Sequence, residues 1–532
     1  MGRTTRHHAA ILSITSLLFS GCGGAPAHVA SAPDPDPALP LLPWQASRPG
    51  TPMVDSPLVV LAGGTVMTAT GRTIEDGIVV MEGGVLRAVG ARDEVTIPDG
   101  AEVIDVSGRF VTPGIIDAHS HMGVYPVPSA AAHDDGNEAT APVTAQVRAS
   151  DSFWPQDPSL SRALAAGITT IQVLPGSANL IGGAGETYKL HPGRSSTEME
   201  LPGAPDTMKM ACGENPKRVY GAQHQAPSTR MGNVAGYRRA FQEAIEYGRS
   251  WADWQEQHRL WAIREVRWER WQAAQMESLD APAEEVPGAG GEGAGDDPDG
   301  ESPDEHPEDP GPSPAPPPRD FGKELLLGAI EGRVHVQVHC YRADEMARMI
   351  DISRELGFRI RSFHHAVEAY KIRELIAAED ISIATWADWW GFKLEAFDAI
   401  PENLALLTEA GARGVLHSDS AMLVQRLNQE AAKAMTAGRR AGIEISEDQA
   451  LRWITANAAW TLGIDDRTGT LEPGRMADVV VWSASPFSVY AHPDLVFVDG
   501  IREFDRARDG IGRASDFELG LDLEQPTAGG EQ

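Results

Sequence analysis

Apolar and polar positions change period along this chain. From Leu58 to Val111, short apolar runs alternate with glycine turns, as in Val59-Val-Leu-Ala-Gly-Gly and Gly77-Ile-Val-Val-Met-Glu-Gly-Gly, which predicts a meander of strands. Beyond Val111 the rhythm becomes strand, helix, strand, helix. Runs at Ile168–Leu174, Thr207–Ala211, Val334–His339, Phe358–Phe363, Ile381–Thr385 and Gly414–Leu416 read as strands, and Ala343–Leu356 and Ala366–Ala378 as helices. Alternation of this kind implies a parallel sheet, and the natural closure is a (β/α)8 TIM barrel of the α/β class, although the second strand is not legible. Ser446–Leu462 reads as the helix after the last strand, with Ser446 and Gln449 fitting a capping box. Ala477–Trp482 and Leu495–Val498, with Asp499-Gly500 as a hairpin turn, return to strand spacing. They complete a small β-sandwich built from both ends of the chain, 57–112 and 467–510, around a barrel of 113–466.

One segment breaks the rhythm, 231–319. Its first half, Ala235–Leu279, is a long helix or helical hairpin in which Trp254, Trp261 and Trp268 recur every seven residues, a stripe that packs on the protein or on a sister helix. That helix is also the candidate surface for a homo-oligomer. The second half, Ala281–Pro318, is Pro, Gly, Asp and Glu with almost no apolar residue, the composition of a disordered spacer.

The ends add a location. Basic residues followed by the apolar run Ala9–Phe19 give residues 1–21 the layout of a secretory signal, too short to span a bilayer. Leu18-Phe-Ser-Gly-Cys22 resembles a bacterial lipobox, with Cys22 lipidated, 22–56 a Pro/Gly-rich tether and 511–532 a tail. The expectation is an exported lipoprotein on the periplasmic side of the outer membrane or on the cell surface, touching membrane through its lipid anchor only. With 45 basic and 76 acidic residues the formal charge is −31, which excludes nucleic acid as a partner. Only Cys212 and Cys340 remain after processing, at most one disulfide, and both read as ordinary buried thiols.

The chemistry sits at strand ends. His119 and His121, two residues apart on an extended segment, point to one face and can grip one metal ion. His339, His364-His365 and Asp419 end three further runs, and a barrel gathers all its carboxyl ends around one mouth. Imidazoles with carboxylate favour zinc, with manganese or iron fitting the same geometry. His335 and His417 read as packed or supporting histidines, and His191, His224 and His258 as structural.

The run Pro113-Gly-Ile-Ile-Asp-Ala-His-Ser-His121 and the closing segment Gly469-Thr-Leu-Glu-Pro-Gly-Arg-Met-Ala-Asp478-Val-Val-Val resemble the amidohydrolase superfamily, in the branch similar to imidazolonepropionase and to Xaa-Pro and arginine dipeptidases. The resemblance covers about residues 57–505. It implies a metal-dependent hydrolase of a C–N bond in a small-molecule or dipeptide-like substrate. A first metal would be held by His119, His121 and Asp419 and a second by His339 and His365, the latter preferred to His364. The bridging anion would be a carboxylated Lys209, with Glu214 as its rival. Asp419 would move the proton, and Tyr341 and Arg342, after the fifth-strand histidine, would contact substrate. The Gly-rich run Gly176–Glu186 would form a flexible wall with Tyr188 and Lys189 nearby. Heterocycle deamination and a non-catalytic surface-anchored scaffold are the alternative readings.

Overall fold

The structure, a computed structural model, describes residues 39–40, 42–45, 54–280 and 306–509. The proposed signal, Cys22, most of the tether and the tail lie outside these. The described chain forms two compact units. One comprises residues 40–255 and 315–509, the other Leu39, Glu256–Asp280 and 306–314.

The larger unit contains a barrel and a second sheet. The second sheet begins with β1 (Val59–Met67), β2 (Thr73–Glu82), β3 (Val85–Ala91), β4 (Glu102–Asp105) and β5 (Phe110–Pro113). The barrel takes the middle of the chain with β6 (Ile115–Ser120), β7 (Ile168–Val173), β8 (Ile181–Lys189), β9 (Asp206–Ala211), β10 (Val334–Cys340), β11 (Ile360–His365), β12 (Ser382–Thr385) and β13 (Arg413–Leu416). After it the chain returns to the first sheet as β14 (Val479–Trp482), β15 (Pro493–Val498) and β16 (Ile501–Asp505). The order there is β16-β15-β14-β5-β1-β2-β3, with β4 on β1, so strands from both ends share one sheet. Alternation along β1 sends Val59 and Leu61 into one apolar layer and Val60 and Ala62 into another.

The stretch from Phe110 to Ser120 is two strands in different sheets. β5 pairs with β14, and Gly114 carries the chain into β6, where a Cβ would run into the Thr169 side chain.

The barrel strands lie in chain order from β6 to β13, and all neighbours run parallel except β8, which is antiparallel to β7 and β9. Ile168–Val173 is therefore the second strand, and the missing strand is β8, formed by the Gly-rich run expected to be a flexible wall. All nine residues of β8 are buried. Its glycines serve close approach: Gly183 has φ of +110° and its Cβ would meet the Val147 carbonyl, while a Cβ on Gly185 would meet Leu174. Tyr188 stacks on Phe153 at 4.0 Å and Lys189 pairs with Asp478, so neither faces the mouth.

The seam between β13 and β6 is stitched by Trp453 and Ile454, whose carbonyls accept from Leu416 N at 3.0 Å and Ile116 N at 2.9 Å. This explains why the helix predicted over Ser446–Leu462 is split into Glu447–Arg452 and Ala456–Leu462: the intervening backbone serves the barrel instead. The capping box of Ser446 and Gln449 is present, and Leu451, Ile454 and Ala458 are buried.

Arg230–Asp280 is one helix of 51 residues, not a hairpin. In the larger unit Phe241 stacks on Phe358 at 4.5 Å, and Trp251 meets Trp44 at 5.3 Å. In the smaller unit Trp261 Nε1 donates to Gly311 O at 2.8 Å, and Trp271 lies 4.9 Å from the His306 ring. The spacer was expected to be disordered throughout; residues 281–305 lie outside the described chain, and 306–314 lie against the helix. Among the described residues no helix is long and apolar enough to cross a membrane.

Candidate metal and active site

Ligand-type side chains converge where β6, β9, β10, β11 and β13 end. His119 and His121 both project inward, with Nε2 atoms 3.2 Å apart. Their hydrogen bonds fix their tautomers. Gln337 Oε1 accepts from His364 Nε2 at 2.7 Å, so the neutral His364 offers Nδ1 as acceptor to His119 Nδ1–H at 2.8 Å. His121 Nδ1–H donates to Leu174 O at 2.8 Å. Both imidazoles therefore aim an Nε2 lone pair into the mouth, and supporting bonds of this kind orient metal-binding histidines.

Asp419 completes the group, with Oδ1 at 3.3 Å from His121 Nε2 and 3.6 Å from His119 Nε2. Burial pushes its carboxyl up, but the His121 contact and the surrounding basic groups outweigh it and hold it below its ordinary value. With both Nδ1 atoms already engaged, the two Nε2 atoms and the Asp419 carboxylate are left to share a proton or a cation, and this donor set fits a divalent metal. Unpartnered buried ring nitrogens on His339, His365 and His417 point the same way.

Local backbone does the aiming. His365 and Asp419, just where β11 and β13 finish, stand in the left-handed region with φ of +68° and +51°, a conformation costly for non-glycine residues that turns both side chains toward the centre. The turn also separates the roles open to His364 and His365. Strict alternation would send one inward and one outward; the left-handed turn lets His364 hold His119 from within the barrel while the His365 ring meets that of His339 edge to face at 4.6 Å between centroids. Asp419 N donates to His119 O at 3.2 Å, joining the first and last strands at the site. Below them, Asp117 accepts from Ser418 N at 3.0 Å and Ser418 Oγ at 2.5 Å; burial nonetheless pushes its carboxyl up to about 7.

Lys209 is fully buried. Its Nζ donates to Pro175 O at 3.0 Å and lies 3.4 Å from His119 Nε2, and desolvation brings the amine down to about 7, so a large fraction is neutral near neutral pH. Glu214 is not beside it; its Oε1 lies 3.5 Å from Lys393 Nζ. Burial keeps His119, His339, His364 and His365 neutral, their ring pKa values well below the usual one, and brings His417 down to about 3.

Of the two residues expected to meet substrate, Tyr341 stacks on His365 at 5.4 Å, whereas Arg342 turns away to pair with Asp344 on the exposed start of a helix. The cation at the mouth is Lys393, with Nζ 3.9 Å from the Tyr341 ring centroid and 3.4 Å from Asn215 Oδ1, while Asn215 Nδ2 donates to His339 Nε2 at 3.3 Å. Sequence reasoning missed Lys393 and Asn215; the one available signal was the aromatic loop Trp386-Ala-Asp-Trp-Trp-Gly-Phe-Lys393 following a strand end. It also missed that Cys212 and Cys340 are not free thiols: they end adjacent parallel strands with Cα atoms 5.2 Å apart and form a disulfide.

Comparison with known proteins gives the family. The profile of the amidohydrolase family matches residues 329–501. A crystal structure of an amidohydrolase from Thermotoga maritima MSB8 aligns with TM-score 0.66 and 32% identity, covering 84% of this chain and 100% of that one. The chain belongs to the amidohydrolase family. The amidohydrolase tasK of Hapsidospora irregularis is 34% identical over 81% of this chain, which spans 40% of that relative. An imidazolonepropionase of Brevibacillus brevis is 37% identical over a stretch covering 13% of this chain and 18% of its own length. As an amidohydrolase, the chain has relatives that are hydrolases, in a family that uses divalent metals.

Proposed function

We propose that this amidohydrolase cleaves a C–N bond, in an amide, peptide-like or cyclic small-molecule substrate, by attack of activated water. The observation that carries this reading is the three acceptor atoms of His119, His121 and Asp419 held face to face by fixed tautomers. These residues would hold one divalent ion, zinc being the best fit, and His339 and His365 a second, with Lys209 between them. A bound ion supplies an acidified water and a polarised carbonyl. The rest falls to the chain. Asp419 accepts the proton from the attacking water and returns it to the leaving amine, a role suited to a carboxylate held ionised. Lys209, buried and readily neutral, can add carbon dioxide through its amine nitrogen, losing a proton to form a carbamate that would bridge. Tyr341 and the Trp386 loop shield the mouth from water, and Lys393 with Asn215 orients the substrate's polar end.

The proposal extends to location: an exported lipoprotein anchored through Cys22. The signal-like first residues support it, and so does the Cys212–Cys340 disulfide, since such bonds persist in oxidising compartments.

Elemental analysis of protein prepared with bicarbonate, beside Lys209→Ala, tests the site. About two metals per chain, falling in the variant, is the expected result and justifies a screen of dipeptides and cyclic amides. One metal untouched by the substitution would remove Lys209 from the site, and no metal would defeat the hydrolase reading.

A further inference from the structure

Beneath the mouth stands a histidine that the mechanism above does not use. His417 follows β13 and is 1% exposed, and neither of its ring nitrogens has a hydrogen-bond partner. A buried polar atom without a partner costs free energy, and an imidazole with both nitrogens bare is exceptional. Three neighbouring histidines are each held at one nitrogen, His119 by His364, His121 by Leu174 O and His339 by Asn215, and His365 shares with His417 a buried Nδ1 without a partner. The His417 ring lies 5.0 Å from that of His119 and 4.9 Å from that of His365, with Trp386 at 5.0 Å on another side. Ligand atoms of His119, His365 and His417 all fall within 4.8 Å of one another.

We propose that His417 is a metal ligand, and that it forms with His119 and His365 an all-imidazole seat for a zinc-class ion, alternative to the seat of His119, His121 and Asp419. The proposal rests on the reading that the mouth holds metal. His364 takes Nδ1 of His119, so Nε2, which also lies 3.4 Å from Lys209 Nζ, can serve one seat at a time; because His365 belongs to the second ion of the two-ion reading, the all-imidazole seat is the one a single ion fills. The two seats differ in chemistry. Three neutral imidazoles suit zinc, cobalt, nickel or copper, whereas manganese and magnesium prefer sites with carboxylate oxygen. His417 thereby biases this amidohydrolase toward the nitrogen-loving metals, and Asp419 keeps its carboxylate for proton transfer when the all-imidazole seat is filled.

Zinc and manganese affinities of the full chain, of His417→Ala and of the control His335→Ala, measured by competition with a chelator, test this. Loss of His417 should weaken zinc by about 100-fold, at or above the ~10- to 100-fold typical of a merely supporting residue. Manganese should weaken by less than about threefold, and His335→Ala should leave both metals alone. Zinc affinity unchanged in a His417→Ala protein of native circular dichroism would overturn the proposal. X-ray absorption of the unaltered protein at one equivalent of zinc decides even if that variant does not fold: three imidazoles without carboxylate is the expected shell, and two imidazoles with carboxylate overturns it while leaving the hydrolase reading intact. No zinc bound at all would sink both.

Discussion

Two buried polar clusters in this protein are built on opposite rules. Where β8 meets the second sheet, Lys189 Nζ lies 2.5 Å from Asp478 and 3.0 Å from Asp499, Thr468 Oγ1 donates to Asp478 at 2.6 Å, and His191 bridges Asp499 at 3.0 Å and Glu503 at 2.6 Å. Each carboxylate faces a donor. At the barrel mouth, acceptors face acceptors: two imidazole lone pairs and a carboxylate, backed by ring nitrogens with no partner. Both clusters concentrate charge away from water, but the first pairs its charges within the chain, while the second turns its acceptors on one another beside unpaired ring nitrogens. Saturation, not burial or charge, separates the structural cluster from the functional one.

Substitutions should fall out along that line. The largest effect is expected from Asp419→Asn, which should lower kcat by ~10²- to 10⁴-fold as proton transfer is lost, with little change in urea midpoint. A comparable loss of stability would place Asp419 with the structural cluster. Next, Lys189→Met leaves Asp478 and Asp499 without their cation and should cost about 3 to 5 kcal/mol in urea unfolding, with activity per folded molecule retained. His191 gives a pH signature. Its burial alone would lower the ring, but Asp499 and Glu503 win and push it up to about 9 from 6.5. A raised folded value means the contribution is fully present below pH 6.5 and lost as pH rises through 9, by about 3 kcal/mol at most. His191→Gln should flatten that slope, and an unchanged profile would break the assignment. The smallest effect is expected from Arg342→Met: its ion pair with Asp344 is exposed, so KM should move less than about twofold and stability by less than ~0.5 kcal/mol. A tenfold rise in KM would return Arg342 to the site.

Much of this arrangement was legible in the chain. Residues at the ends of apolar runs gave His119, His121, His339, His365 and Asp419, because the parallel barrel converts "end of strand" into "mouth" wherever the strand lies in sequence. Glycine misled for the same reason it usually informs. In β8 it relieves crowding between backbones, whereas the pattern of Gly176–Glu186 reads as a loop. The His364–His365 pair exceeded what alternation can decide, since a left-handed residue at a strand end suspends the two-residue period. The Cys212–Cys340 bond, the Lys393–Asn215 pair and the turning away of Arg342 depend on which residues become neighbours in space, which spacing along one chain does not encode.

The disulfide has a topological consequence. Cys212 and Cys340 are separated by 128 residues, and the helix Arg230–Asp280 and the acidic, Pro-rich stretch after it lie wholly between them. That excursion is the handle of a covalent ring whose clasp joins β9 to β10. A protease that nicks the handle once yields two peptides that still travel as one species until a thiol opens the clasp. A single break in that excursion thus separates nothing from the barrel.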